Sequence, residues 1–134
     1  MDDQIEQIPK TMETFFGTAG KMVKPSVETV DAWIGKIPKG QLCTIDELRC
    51  SIAASFAVER ACPASTTKAL KILSKEKPDS PYWRVVKKKG ELISQFANGI
   101  EGHAKKLEVE GFAIDYAKKK PVVKTDPSHF HKFT

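Results

Sequence analysis

A chain of 134 residues and 14.9 kDa fits one domain and leaves little room for two. Hydrophobic residues at 40% and charged residues at 29% exclude a wholly disordered chain, a collagen-like repeat and a disulfide-dense mini-protein. The net charge of +5 is unevenly placed: residues 68–89 hold eight Lys and Arg against two acids, whereas residues 1–20 hold four acids and one Lys. No run approaches the ~18 uninterrupted apolar residues of a membrane-spanning helix, and Met1-Asp2-Asp3-Gln4 is the reverse of a signal peptide, so no membrane partner is expected. Cys43, Cys50 and Cys62 are odd in number and form no C-x-x-C pair, which suggests neither a disulfide framework nor a zinc knuckle. A reduced, cytoplasmic protein is expected.

In chain order, residues 1–24 read as an N-terminal arm, loop or short helix, docked by Phe15 and Phe16. Ser26 is the N-cap expected of a first helix, whose apolar stripe is Val27, Val30, Ile34 and Ile37 with Trp33 alongside, and which Pro38 and Gly40 end. Thr44-Ile45-Asp46-Glu47 is a capping-box pattern opening a second helix that buries Ile45, Leu48, Ile52 and Phe56. Cys62-Pro63 breaks the chain, and Ala64 to about Glu76 reads as a third helix with Ala69, Leu70 and Leu73 inward. Lys68, Lys71 and Lys75 share its polar face.

Pro78 and Pro81 forbid helix between them. Trp83-Arg84-Val85-Val86 is strand-like, Lys87 to Gly90 reads as a turn, and Glu91-Leu92-Ile93 as the returning strand. A last helix, framed by Gly99 and Gly102, carries Ile100, Ala104 and Leu107 and stops at Gly111; Phe112-Ala113-Ile114 reads as a short strand and the chain from Pro121 as a loose tail. The order of helix, capped helix, basic helix and lysine-tipped hairpin predicts a mostly helical α+β fold, a winged helix-turn-helix with a small β-hairpin wing. There the basic helix enters a DNA groove and the wing holds the backbone. A lysine-rich face can also serve solubility alone; the architecture tips the balance toward double-stranded DNA as partner.

At these same residues the chain resembles the DNA-binding domain of the O6-alkylguanine-DNA alkyltransferases and their alkyltransferase-like relatives, over about Pro25 to Ile114. Ile37-Pro38-Lys39-Gly40 with Thr44 and Glu47-Leu48 is similar to the family's I-P-x-G and T-Y-G-E-L segment. Pro81-Tyr82-Trp83-Arg84-Val85-Val86 stands where alkyltransferases carry P-C-H-R-V, and Leu107 to Gly111 resembles the closing L-x-x-E-G. Cys62-Pro63 with Pro-Tyr-Trp-Arg resembles a bacterial and archaeal branch lacking the acceptor cysteine. The resemblance implies domain bounds of 25–116 for the winged helix, with 117–134 a basic tail.

The departures bear on mechanism. An alkyl acceptor is a thiolate activated by a neighbouring His that a Glu orients; here Tyr82 and Trp83 replace Cys and His, and only Glu110 matches. A phenol with a pKa near ~10 is a poor acceptor, so no alkyltransferase activity is expected. The resemblance implies that Tyr82, Trp83 and Glu110 form or close a base pocket for alkylated guanine, flagged for a repair-protein partner. It also implies that Arg84 braces the site, while the charge map and the winged-helix layout make Lys68, Lys71, Lys75, Lys87, Lys88 and Lys89, with Arg84, the expected DNA-binding set. Ile45 stands where the family has its nucleotide-rotating Tyr, and Ala64 and Ser65 where it has an intercalating Arg, so generic duplex binding survives the comparison better than lesion reading. The alternative is that Tyr82 and Trp83 fill the vacated pocket as core, on a scaffold that serves as a protein-interaction module.

Elsewhere, Cys62 at the start of the basic helix is a candidate reactive thiol and more commonly a packing residue, as Cys43 and Cys50 are expected to be. His129 and His131 lack a third metal ligand, so no metal and no cofactor is expected. His103 has no acid–base partner in the sequence and is expected at the surface. A monomer is expected.

Overall fold

Helix α1, Val27–Ile34, begins where Ser26 accepts a hydrogen bond from the Thr29 amide through its hydroxyl. Asp3 reinforces this start, accepting from the Ser26 N–H at 2.7 Å and the Thr29 hydroxyl at 2.9 Å. The computed structural model describes residues 3–7, 20–77, 79–117, 120–125 and 129–131. The docking expected of Phe15 and Phe16, and Pro78, lie outside them. α1 buries Val30 and Ile34 and ends at Gly35, short of Pro38, with Ile37 still buried through the following turn.

Helix α2, Ile45–Ser55, starts at Thr44, whose hydroxyl accepts from the Glu47 amide at 3.2 Å, as the capping pattern predicts. It buries Leu48, Ile52 and Ala53. Helix α3, Pro63–Glu76, has Pro63 in its first turn, where a missing N–H costs nothing, and turns Thr66, Ala69, Leu70 and Leu73 inward. α2 and α3 with their short connection form the helix-turn-helix.

Residues 4–7 and 21–24 correct the expectation of a loop or helical arm. Strands β1, Gln4–Gln7, and β2, Lys21–Lys24, pair antiparallel, with Gln4 opposite Lys24. β2 then pairs in parallel with β4, Arg60–Ala61, in the α2–α3 connection. Met22 and Val23 are buried, so this hairpin is fastened to the helix-turn-helix.

The predicted wing also differs. Tyr82–Arg84 is a single 3-10 turn, and only Val85–Val86, strand β5, is extended. β5 pairs in parallel with β3, Cys43–Thr44, rather than with Glu91-Leu92-Ile93. The Lys87–Gly90 turn remains, closed by the Lys87 N–H donating to the Glu91 carbonyl at 2.9 Å. Beyond it the chain turns to strand β7, Val122–Lys124, through a Glu91–Val122 bridge and a bond from the Leu92 N–H to the Pro121 carbonyl. That long-range partner takes the edge a hairpin would have used, and the wing is a tight basic loop.

Helix α4, Gly99–Val109, closes at Gly111, whose φ of +95° suits the residue past a helix end. Strand β6, Ala113–Asp115, pairs antiparallel with β7. The expected loose tail is therefore partly ordered: β7 is a strand, and residues 129 and 131 exchange backbone hydrogen bonds with Leu42. The core has two clusters, one of α1–α3 side chains with Tyr82, Ile93 and Phe96, the other of Leu42, Val86, Leu92, Leu107 and Val123. Trp83 packs against both.

Candidate nucleic-acid interface

With Ala69, Leu70 and Leu73 buried, the helical repeat turns Lys68, Lys71 and Lys75 outward along α3, and all three are exposed. None takes part in an ion pair among the described residues. Across from α3, the Lys87–Gly90 loop presents Lys88 and Lys89 to solvent, with Lys87 half-buried. Lys89 and Gly90 have φ of +66° and +82°. A Cβ at Gly90 would lie 3.1 Å from the Val123 carbonyl oxygen, so glycine both makes this turn and lets the loop seat on β7. Between the basic helix and the basic loop opens a cavity of about 230 Å³, lined by Ile45, Arg49, Pro63, Thr67, Lys87 and Ile93 among others. Arg49 is held there by its Nε–H donating to the Ala61 carbonyl at 3.1 Å.

Tyr82 and Trp83 do not line this cavity; Tyr82 belongs to the first core cluster and Trp83 packs against it. Tyr82 is 4% exposed, its ring meeting Trp83 edge-on at 5.3 Å and Phe96 at 4.9 Å between centroids. Burial pushes its phenol above the ordinary tyrosine pKa. Phe96, which the sequence reading did not single out, thus occupies the space beside Tyr82. Trp83 is half-buried, with Lys106 Nζ 5.0 Å and the Arg84 guanidinium 5.7 Å from its ring centroid.

Arg84 is mostly buried and engaged within the protein, unlike the exposed lysines. Its Nε–H donates to both Glu110 oxygens at 3.0 and 3.2 Å, one Nη–H donates to Glu110 Oε2 at 2.6 Å, and the other to the Ile37 carbonyl at 2.7 Å. The Glu110 carboxyl feels burial, which raises its pKa, but hydrogen bonds and charge from Arg84 outweigh it and hold the carboxyl below its ordinary value. The indole N–H of Trp83 adds to this lowering without meeting hydrogen-bond geometry, and it is buried with no partner among the described residues. Arg84 and Glu110 therefore form a brace joining the Tyr82–Arg84 turn, the end of α4 and the α1–β3 connection.

His103 corrects the expectation of a surface residue: it is fully buried. Its Nδ1 accepts from the Ile93 N–H at 3.0 Å, which puts the ring proton on Nε2, and Nε2 donates to the Trp83 carbonyl at 2.8 Å. Desolvation drops its pKa to about 4. The signal was present in the sequence, since Ile100, His103, Ala104 and Leu107 fall at i, i+3, i+4 and i+7.

Cys43 is buried and donates to the Thr44 carbonyl at 3.2 Å, its thiol pushed up to about 12 by desolvation and by Glu47. Cys62 is buried at the N-cap of α3, whereas Cys50, expected to pack inside, is exposed on α2. The described residues hold no group of three or more His, Cys, Asp or Glu able to hold a metal ion, and no helix among them is long and apolar enough to cross a membrane. Lys118 and Lys119 of the basic tail lie outside them.

No family model matches this sequence, and no curated protein does. A solved structure does: S. pombe Atl1 in complex with damaged DNA containing O6-carboxymethylguanine, with a TM-score of 0.60 at 22% identity. The fold is that of an alkyltransferase-like protein. The match covers 94% of the Atl1 chain and 79% of this one, so nearly all of the Atl1 fold is present, and about a fifth of this chain lies outside the match.

Proposed function

We propose that this chain is a non-enzymatic, duplex DNA-binding protein that reads alkylated guanine. The observation that carries the DNA reading is the row Lys68, Lys71 and Lys75 on the second helix of a helix-turn-helix, beside a loop tipped by Lys88 and Lys89. Two basic elements flanking one cleft concentrate positive charge on one face, the electrostatic footprint of a phosphate-backbone binder. The fold shared with Atl1, a protein solved on damaged DNA, supports the lesion reading. In this reading the largely apolar cavity between α3 and the loop receives an extruded base; Tyr82 and Trp83 do not line it, Tyr82 being buried beside Phe96 and Trp83 half-buried. Alkyl transfer has no support. Tyr82 is a buried phenol with a raised pKa, and His103, the histidine of the aromatic cluster, has both nitrogens engaged elsewhere.

Fluorescence anisotropy of a labelled duplex, with and without one O6-methylguanine, across a salt series tests this reading. Salt-sensitive binding, tighter on the modified duplex, is expected. Equal affinities would remove lesion recognition, and no binding at low salt would remove the DNA reading in favour of a protein-interaction module. Lys71→Ala is expected to weaken binding to both duplexes alike and to lower the slope of log K against log salt by about 0.9, one phosphate's share. A Lys71→Ala protein with parental affinity and slope would take α3 out of the interface.

A further inference from the structure

α3 has a second flank. On the side away from the Lys87–Gly90 loop, a cavity of about 250 Å³ separates it from the β1–β2 hairpin, lined by Gln4, Lys24, Val27, Ser65, Lys68 and Ile72. Lys68 belongs to the exposed α3 row, so this cavity opens onto the proposed DNA surface. Its polar lining is two ammonium groups, a hydroxyl and an amide, a set that supplies hydrogen-bond donors to an anion. Lys24 is not idle in this structure: its Nζ lies 3.0 Å from Glu6 Oε2, both side chains more than a third exposed. An exposed pair of this kind is held weakly and exchanges readily for a stronger anion.

Resting on the DNA reading above, the geometry points to the β1–β2 hairpin as a second wing, whose cavity seats a backbone phosphate between Lys24 and Lys68, with Glu6 holding Lys24 until the phosphate displaces it. The basic loop and the hairpin then grip the duplex from opposite flanks of α3. The hairpin can bear that load because it is built into the fold. β2 is paired with β4 inside the helix-turn-helix, Met22 and Val23 are core residues, and Asp3 is bound to the start of α1.

The test is anisotropy of an unmodified duplex across a salt series with the parent, Lys24→Ala, Glu6→Gln and the double variant, each checked by circular dichroism. Lys24→Ala is expected to weaken binding about three- to tenfold near ~0.1 M salt and to lower the salt slope by about 0.9. Glu6→Gln should tighten binding about two- to threefold, and that gain should vanish in the Lys24→Ala background, as coupling within one pair demands. Unchanged affinity for Lys24→Ala, with a parent that binds, overturns the second wing and leaves the DNA reading intact. A Glu6→Gln gain that persists without Lys24 overturns the latch, since a general relief of negative charge would act that way. If Lys24→Ala is misfolded, Glu6→Gln decides: parental affinity overturns the seat. A parent that binds no duplex removes both readings.

Discussion

A histidine with Nδ1 accepting and Nε2 donating inside an aromatic core is stable only when neutral, and His103 is in that position against Phe96, Ile93 and Trp83. Its pKa is about 4 folded and 6.5 when exposed, so acid protonates the unfolded chain first. The His103 contribution is therefore complete above pH 6.5 and is lost as pH falls toward 4, by about 3 kcal/mol in all. Glu110, with a depressed pKa, acts in the same direction but in a lower window, below its ordinary 4.5. Urea unfolding at a series of pH values checks this: the parent should lose stability between pH 6.5 and 4, and His103→Gln should show a flatter profile there. Equal profiles would mean the ring is solvated. Tyr82 supports a second expectation at this scale. Tyr82→Cys should transfer no labelled methyl group from an alkylated duplex, because no free histidine base faces that position. Burial of His103 was legible from its place in the α4 stripe. The position of Phe96 against Tyr82 was not, because their contact joins segments with no common periodicity.

The helix starts were read to within a residue because their signals are local, whereas α1 ends at Ile34, before the Ile37 and Pro38 to which the sequence reading carried it. Ser26, Thr44 and Pro63 each supply a start that the backbone itself requires, and the buried faces recur at helical spacing. Thr44 offers the measurement: Thr44→Ala removes the acceptor of the Glu47 amide and should cost about 1 kcal/mol, read as a fall in the urea midpoint at unchanged m-value. A midpoint equal to the parent's would show that solvent satisfies that amide as well. Strands fared worse for a physical reason. β3, β4 and β5 are two residues long, and each finds its partner far along the chain. A two-residue strand carries no alternation to read, and an extended Trp83-Arg84-Val85-Val86 looks the same whether Cys43–Thr44 or Glu91-Leu92-Ile93 lies beside it. The lysine turn was found because Gly90 announces it; the pairing behind it was fixed by β7.

At the scale of the molecule, the class of fold and the basic surface were visible in the order of elements and in the crowding of charge into residues 68–89. The hairpin on the other side of α3 was not, because an acidic, glycine-interrupted segment carries few strand signals and is held by partners elsewhere. The two core clusters meet at Trp83, so Arg84, Glu110 and His103 brace the seam between them. One tie within the second cluster is unusually remote in sequence. The Leu42 N–H donates to the His129 carbonyl at 2.7 Å, and the His131 N–H returns to the Leu42 carbonyl at 2.7 Å. Leu42 precedes α2 and is wholly buried in the second cluster. During synthesis its backbone groups therefore wait for residues 129–131 to leave the ribosome, while α1, α2 and α3 already have their contacts. The helix-turn-helix can take shape on the nascent chain, and the half of the core around Leu42 is finished afterwards, in a step timed by translation.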